Sequence, residues 1–241
     1  MDLKENLPPH ACLGHWYYQS KFSCLLRSLD WQQTSSCLDY GCGHGVFSRL
    51  LHAAFPHLQI QAYDPQGART PDGPIRFANS VEDLRPCETV LLMDVIEHCP
   101  DPVAVLRQAS EFVLPGGRLF VTVPAFEALW SGHDEFLGHY RRYTLASLEA
   151  EARAAGCEVL RSHYLFAHLL APAWVMRKLR RKAARSDLQP AGAALNALLC
   201  WMGRLDAAWA PKNRLGGLTV TAVLLSRQPP ENPHLATHPC P

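Results

Sequence analysis

Two stretches of this 241-residue chain place residues at spacings that could do chemistry. The first is Cys37-Leu38-Asp39-Tyr40-Gly41-Cys42-Gly43-His44-Gly45, where a short apolar run ends in an acid and glycines follow at every second position. Val46-Phe47-Ser48-Arg49-Leu50-Leu51 then begins a helical pattern. A strand, a glycine turn and a helix start in that order make a site for a polar ligand. Glycines take φ > 0 and let a ligand approach the main chain, and the helix N-terminus adds unpaired N–H groups and partial positive charge. Asp64 lies 23 residues past Gly41, near the ~20 at which an acid bonds ribose hydroxyls in dinucleotide-binding units. The Gly-x-Gly-x-Gly spacing departs from the dinucleotide fingerprint Gly-x-Gly-x-x-Gly. The second stretch, residues 125–143, is crowded with aromatic, histidine, acidic and arginine residues and holds no period. His133 and His139 have the pKa range of a general base. Arg141 and Arg142, with Tyr143 beside them, are candidates to hold a phosphate or carboxylate of a substrate by paired hydrogen bonds.

The elements around these stretches follow from pattern. A helix is expected from His15 to about Leu29, with Leu25, Leu26 and Leu29 at helical spacing. Leu58–Tyr63 alternates like a strand, Pro65–Gly73 reads as a loop, Ile75–Ala78 as a short strand and Val81–Leu84 as a helical turn. Thr89–Met93 is a continuous apolar run, as in a strand buried on both faces. A helix is expected over Pro102–Leu114 with Asp101 as N-cap, then a turn at Pro115-Gly116-Gly117 and a strand at Arg118–Val123. Thr144 caps a helix through Ala155, Gly156 ends it, Cys157 starts a strand, and Gly217–Ser226 forms the last one. Strands alternating with helices predict a doubly wound α/β fold: a seven-stranded, mostly parallel sheet whose last strand is antiparallel. The expected domain is residues 1–163 with 216–228, interrupted by a helical insertion at 164–215 and followed by a tail at 229–241.

Over residues 36–160 these pieces resemble the ubiquinone-biosynthesis-type branch of the class I S-adenosylmethionine-dependent methyltransferases. Leu38–Gly45 is similar to that family's first motif, Tyr63-Asp64 to its second-strand acid, Met93–His98 to its fourth-strand motif, and Leu114–Gly117 to the turn before its fifth strand. Asn79–Leu84 stands where the family contacts adenine. The resemblance implies a Rossmann-like methyltransferase fold with S-adenosyl-L-methionine as cofactor. It implies that Gly41, Gly43 and Gly45 approach its methionine part, with Asp39 orienting the loop. Asp64 is then the ribose ligand, Ser80 and Val81 face adenine, and Met93 and Asp94 border the methionine moiety. Glu97-His98 is expected to support structure. The expected reaction is methylation, most readily at oxygen, of a small or lipid-linked acceptor, with His139 or His133 as base. The competing readings are a nicotinamide-binding oxidoreductase and a non-catalytic membrane or assembly factor.

Composition bounds the rest. The hydrophobic share of 48% is that of a globular protein, and nine cysteines without a Cys-x-x-Cys pair point to reduced thiols and a cytoplasmic location. No zinc-ligand spacing occurs, so no metal is expected. The net charge of +1 hides an asymmetry: residues 1–160 carry 12 Lys/Arg against 19 Asp/Glu, and residues 161–241 carry 11 against 3. The insertion sets the basic run Arg177–Lys182 beside apolar stretches with tryptophans. That pattern fits either a helix lying on an anionic membrane surface or a cap over the substrate pocket. Nucleic acid is not the expected partner.

Overall fold

The structure, a computed structural model, describes residues 9–66, 73–179 and 191–227, the side chains of 9, 10, 178 and 179 excepted. Two helices, α1 (Pro9–Gly14) and α2 (Trp16–Ser28), precede the sheet. Then come β1 (Ser36–Tyr40), α3 (Val46–Ala54), β2 (Gln59–Tyr63), β3 (Arg76–Ala78), β4 (Cys87–Met93), α4 (Pro102–Ser110) and β5 (Val113–Pro124). The chain closes with α5 (Gly132–Leu137), α6 (Leu145–Ala154), β6 (Cys157–Leu165), α7 (Leu170–Leu179), α8 (Ala193–Trp209) and β7 (Thr219–Ser226). The seven strands run in the order β3-β2-β1-β4-β5-β7-β6. Pairings are parallel from β3 to β5, and β7 is antiparallel to both β5 and β6. This is the expected doubly wound sheet. Two apolar cores, one on each face, bury it.

Two local expectations fail for identifiable reasons. The helix begun at Pro102, with Asp101 capping the Ala104 N–H at 3.0 Å, stops at Ser110 rather than Leu114. Phe112 and Val113 are buried instead, and Val113 pairs with Cys87 as the start of β5. Pro115-Gly116-Gly117 therefore lies inside β5 as a bulge, because the next aligned pair is Thr89 with Arg118. A Cβ on Gly117 would stand 2.5 Å from the Glu88 carbonyl oxygen, so glycine is what lets the bulge close on β4. In residues 125–143 the short helix α5 also appears, closed by a capping box between Ser131 and Asp134. Part of the expected loop at 65–73, the N-terminal residues before Pro9 and the tail lie outside the described residues.

Helix α2 packs on the sheet through an apolar face that includes Phe22 and Leu25. It also brings Cys24 to 3.5 Å from His163 Nε2 on β6. His163 is 1% exposed and its Nδ1 has no partner. Burial, with the positive charge of Arg161 second, pushes its pKa down to about 4. Because the unfolded chain protonates this ring near 6.5, the neutral ring's full contribution holds above that pH and is lost as pH falls toward 4. Guanidinium denaturation of wild type against His163→Gln should show a stability difference that shrinks by on the order of 2–3 kcal/mol between pH 7.5 and 4. Parallel pH profiles for the two proteins would contradict this reading of the core.

Candidate functional site

The site assembles at the carboxyl ends of β1, β2 and β4, where open α/β sheets bind ligands. At the end of β1 the chain enters the glycine turn, and Gly41, Gly43 and Gly45 have φ of 78°, 53° and 68°. All three lie in the left-handed region that a side chain disfavours. A Cβ on Gly41 would also stand 2.6 Å from Val95, so the turn and the segment after β4 touch. Gly41 and Cys42 donate to the Tyr63 carbonyl at 2.7 and 2.9 Å, which fastens the turn to the end of β2. Asp64, the next residue after β2, accepts from the Gly43 N–H at 2.7 Å and the Gln66 N–H at 2.9 Å. A carboxylate has about four acceptor positions, so two remain for hydroxyls of a ligand in the turn. Asp39 is wholly buried, and its Oδ2 accepts from Ser48 Oγ at 2.6 Å, tying β1 to α3. Burial pushes the Asp39 carboxyl up to about 6, and the Ser48 bond only partly offsets this.

Asp94 follows β4 in a left-handed conformation, φ 56°. It accepts from Thr122 Oγ1 at 3.0 Å, from the Tyr17 hydroxyl at 3.1 Å and from the Lys21 ammonium. Lys21 is 1% exposed and lies 4.7 Å from the centroid of the Tyr17 ring. Burial disfavours the Asp94 charge, but Lys21, Thr122 and Tyr17 outweigh it and hold the carboxyl below its ordinary range. Lys21 and Tyr17 are absent from the sequence-level site. The available signal was one cation, four residues from a tyrosine, on the apolar side of an aromatic-rich helix.

The loop after β5 folds onto the same edge. The Tyr140 N–H donates to the Glu97 carbonyl at 2.8 Å, and the rings of His98 and His139 lie 4.6 Å apart. His139 Nδ1 is 2.8 Å from Asp134 Oδ1, and that buried carboxylate also takes Arg142 Nε at 2.7 Å. Burial opposes the Asp134 charge, yet His139, Arg142 and the Ser131 amide hold its carboxyl well below the usual range. The structure therefore changes the expectation for two substrate residues. Arg142 is buried and spent on Asp134 and the Ala125 carbonyl, and Tyr143 is 1% exposed in the core, so neither is presented to an acceptor. Arg141 is partly exposed and donates to the Pro100 carbonyl at 2.7 Å. The His133 ring lies 6.5 Å from that of His139.

The remaining expected residues spread along the edge. Met93 is fully buried, so its backbone is what it can offer a ligand. Ser80 caps a short 3-10 turn, Val81–Asp83, and its hydroxyl donates to Asp83 at 3.2 Å. A cleft of about 570 Å³ opens at the opposite, amino edge between Ser28, Glu88, Gly117 and Arg161, away from the glycine turn.

The sequence profile of a family described as a methyltransferase domain matches residues 15–162, more than half the chain. The ubiquinone biosynthesis O-methyltransferase of Xanthomonas euvesicatoria is 30% identical over 150 residues, 51% of this chain and 62% of that protein. That of Xylella fastidiosa is 30% identical over 98 residues, 35% of this chain and 40% of that one, so the chain spans about half the length of these relatives. Among solved structures, a methyltransferase in complex with the Haloferax volcanii Trm112 activator is similar with a TM-score of 0.55 at 18% identity. That match covers 89% of this chain and 90% of the other, and it shows the fold alone. The residues at the turn fit the methyl donor these families use: a glycine cradle that a Cβ would fill and a carboxylate with spare acceptor positions.

Asp64→Ala removes the turn's anchor and the residue expected to bond the ribose. It should weaken S-adenosylhomocysteine binding by about 1.5–3 kcal/mol, measured by calorimetry on protein with an unchanged circular dichroism spectrum. Wild-type affinity would move the donor site away from this turn. With a methyltransferase-domain profile matched over residues 15–162, and the glycine turn, the acid after β2 and the sheet order in place, the chain belongs to the class I S-adenosylmethionine-dependent methyltransferase family.

Proposed function

We propose that this chain transfers the methyl group of S-adenosylmethionine to an oxygen of a small acceptor, with His139 activating that oxygen. One observation supports the assignment above the others. The loop after β5 returns His139 to the edge that bears the glycine turn, with its side chain 6% exposed and its Nδ1 held by a buried carboxylate. A proton on Nδ1 donated to Asp134 leaves Nε2 as the acceptor, the arrangement that orients a histidine base. The cofactor carries its methyl on a sulfonium and so supplies an electrophile. With that donor bound, an acceptor oxygen would take the methyl carbon as the carbon–sulfur bond breaks, and His139 Nε2 would take the hydroxyl proton. Asp39 and Asp64 hold the turn, and Lys21 and Tyr17 hold Asp94 beside it. His133, whose ring lies 6.5 Å from that of His139, is the second choice. Ser80 and Val81 remain the proposed adenine edge, and Arg141 the proposed contact for an acidic group on the acceptor. His139→Ala should lower the methylation rate by ~10²–10⁴ with cofactor affinity near wild type. A variant that turns over normally with the true acceptor would assign activation to another group.

A second reading concerns where the acceptor is met, and α8 supports it. Its small and polar residues turn inward: Asn196 bonds the Trp16 N–H and the Gly14 carbonyl at 2.9 Å, and Gly203 and Ala207 are buried. Its large apolar residues Leu195, Leu198, Trp201, Leu205 and Trp209 are all exposed, Trp209 by 72%. On α7, Trp174, Val175 and Met176 are about half exposed. No helix among the described residues is long and apolar enough to cross a membrane. An apolar stripe on a positively charged segment suits the surface of an anionic bilayer, where each basic side chain adds ~1 kcal/mol, and a lipid-linked acceptor. Lys178 to Lys182 lie outside the described side chains. The protein should sediment with anionic vesicles at low salt, less at high salt, and less with Trp201 and Trp209 both changed to Glu. A protein that stays in the supernatant at low salt would favour the cap over the pocket.

A further inference from the structure

Two donors meet on one oxygen behind His139. The Nδ1 of His139 lies 2.8 Å from Asp134 Oδ1, and the Nε of Arg142 donates to that same oxygen at 2.7 Å. The other oxygen, Oδ2, takes the Ser131 N–H at 2.9 Å and the Ser131 hydroxyl at 3.3 Å. Asp134 and Arg142 are both buried. Arg142 reaches beyond the carboxylate. Its Nη1 donates to the Ala125 carbonyl, just past the end of β5, at 3.0 Å, and its main-chain N–H donates to Glu127 Oε2 at 3.1 Å. A guanidinium is planar and rigid, so its bonds to Asp134 and Ala125 fix one another. Main-chain bonds close the neck of the loop, from the Tyr143 N–H to Pro124 and from the Phe126 N–H to Tyr143, each at 2.8 Å. Arg142 thus ties the carboxylate behind His139 to the end of the sheet. On sequence alone this arginine was expected to grip an acidic acceptor; its burial gives it a different task.

We propose that Arg142 is a positioning residue for methyl transfer, which acts through Asp134 to fix the tautomer of the His139 ring. This rests on the reading of His139 as the proton acceptor and says what keeps it fit for that task. The physical reason is charge balance in a buried place. A buried carboxylate without a fixed cation is met by a proton, and here two positions could take it. A proton on Asp134 would be donated to Nδ1 and leave the ring's own proton on Nε2. A second proton on the imidazole would leave neither nitrogen bare. In either form Nε2 cannot take the acceptor's proton. Arginine keeps its charge at any working pH, so Arg142 and Asp134 cancel, and the ring stays neutral with its one proton on Nδ1. Facing the ring from the segment after β4 are His98, its ring at 4.6 Å, and Glu97, whose carboxyl is pushed well above its ordinary range by burial first and the Asp94 charge second. The ring of His133, on α5, lies at 6.5 Å. None of these is a permanent charge; Arg142 is the fixed cation at this carboxylate. The stakes are those of serine proteases, where an amide in place of the carboxylate behind the histidine gives the wrong tautomer and costs ~10⁴ in rate.

The test reads the ring itself and needs no acceptor. Full-length protein labelled with ¹⁵N in its histidine rings is studied by nuclear magnetic resonance at about pH 7.5 with saturating S-adenosylhomocysteine, which holds weakened variants in the folded state and whose binding shows that they are folded. His139→Ala identifies the His139 signals. In wild type the ring should be neutral with its proton on Nδ1. Arg142→Gln should lose that form to the Nε2–H tautomer or to the imidazolium. Arg142→Lys, which keeps a cation at Asp134, should restore it. A wild-type ring with its proton on Nε2 overturns the proposal before any variant is made. So does a folded Arg142→Gln that keeps the wild-type form, or an Arg142→Lys that loses it. The base reading fails separately. If the ring follows these expectations while His139→Ala methylates at the wild-type rate, the ring is held as stated and the proton acceptor lies elsewhere. If Arg142→Gln leaves the ring unchanged while His139→Ala loses methyl transfer, His139 remains the base and Arg142 is structural.

Discussion

A buried ammonium held against a buried carboxylate is the contact on which the rest of this site depends. Lys21 and Asp94 are 73 residues apart in sequence and meet with almost no exposed surface. Breaking such a pair by removing one partner typically costs about 3–5 kcal/mol, because an uncompensated charge stays behind. The pair therefore keeps α2 against the end of β4. Tyr17 joins it through Asp94 and stacks on Phe166 at 5.6 Å, beyond the end of β6. Through α2 the pair also positions α8, whose Gly203 lies so close to Ser20 that a Cβ there would stand 1.8 Å from the hydroxyl oxygen. The N-terminal helices thus contact both the edge that bears the glycine turn and the insertion.

The same edge collects buried carboxylates whose surroundings push them in opposite directions. Asp94 and Asp134 face cations and hydrogen-bond donors that hold them ionised. Asp39 has one hydroxyl donor and is raised to about 6. Glu97 is raised well above its ordinary value, by burial first and the nearby Asp94 charge second. Shifts of this kind arise at functional sites and in structural ion-pair networks alike. For Asp39 a structural role suffices, because its Ser48 bond joins β1 to the helix behind the glycine turn. Glu97 has no comparable bond, which is why it stands out from its neighbours.

Helix α8 shows a different constraint. A surface helix ordinarily turns its apolar stripe inward, and this one turns a small-residue face inward and presents leucines and tryptophans outward. Close approach to α2 explains the inner face: Gly203 and Ala207 give the backbone room, and Asp206 accepts from the Phe166 and Ala167 amides at the end of β6. Packing among the described residues does not account for the outer face, and exposed apolar patches of this kind are common at interaction surfaces.

Everything that depends on neighbours in sequence was legible before the structure. The run from Asp39 to Gly45, the acid at Asp64, the capped helices at Asp101 and Thr144 and the apolar β4 each carry their signal within a few residues, because dihedral freedom, capping and periodicity are local. The order of these pieces then implied the sheet and the family. Local chemistry also misled where burial decided the outcome. Pro115-Gly116-Gly117 reads as a turn, but Val113 had to pair with Cys87, so the strand begins earlier and bulges. Arg142 and Tyr143 read as ligands for a substrate, but Asp134 needed a buried cation and the core needed a large side chain. Lys21 against Asp94, and Glu97 with His98 and His139, have no signature in the chain. Their partners are set by how α2 and the loop after β5 fold back on the sheet, and only that return makes a charge on one element depend on a charge on another.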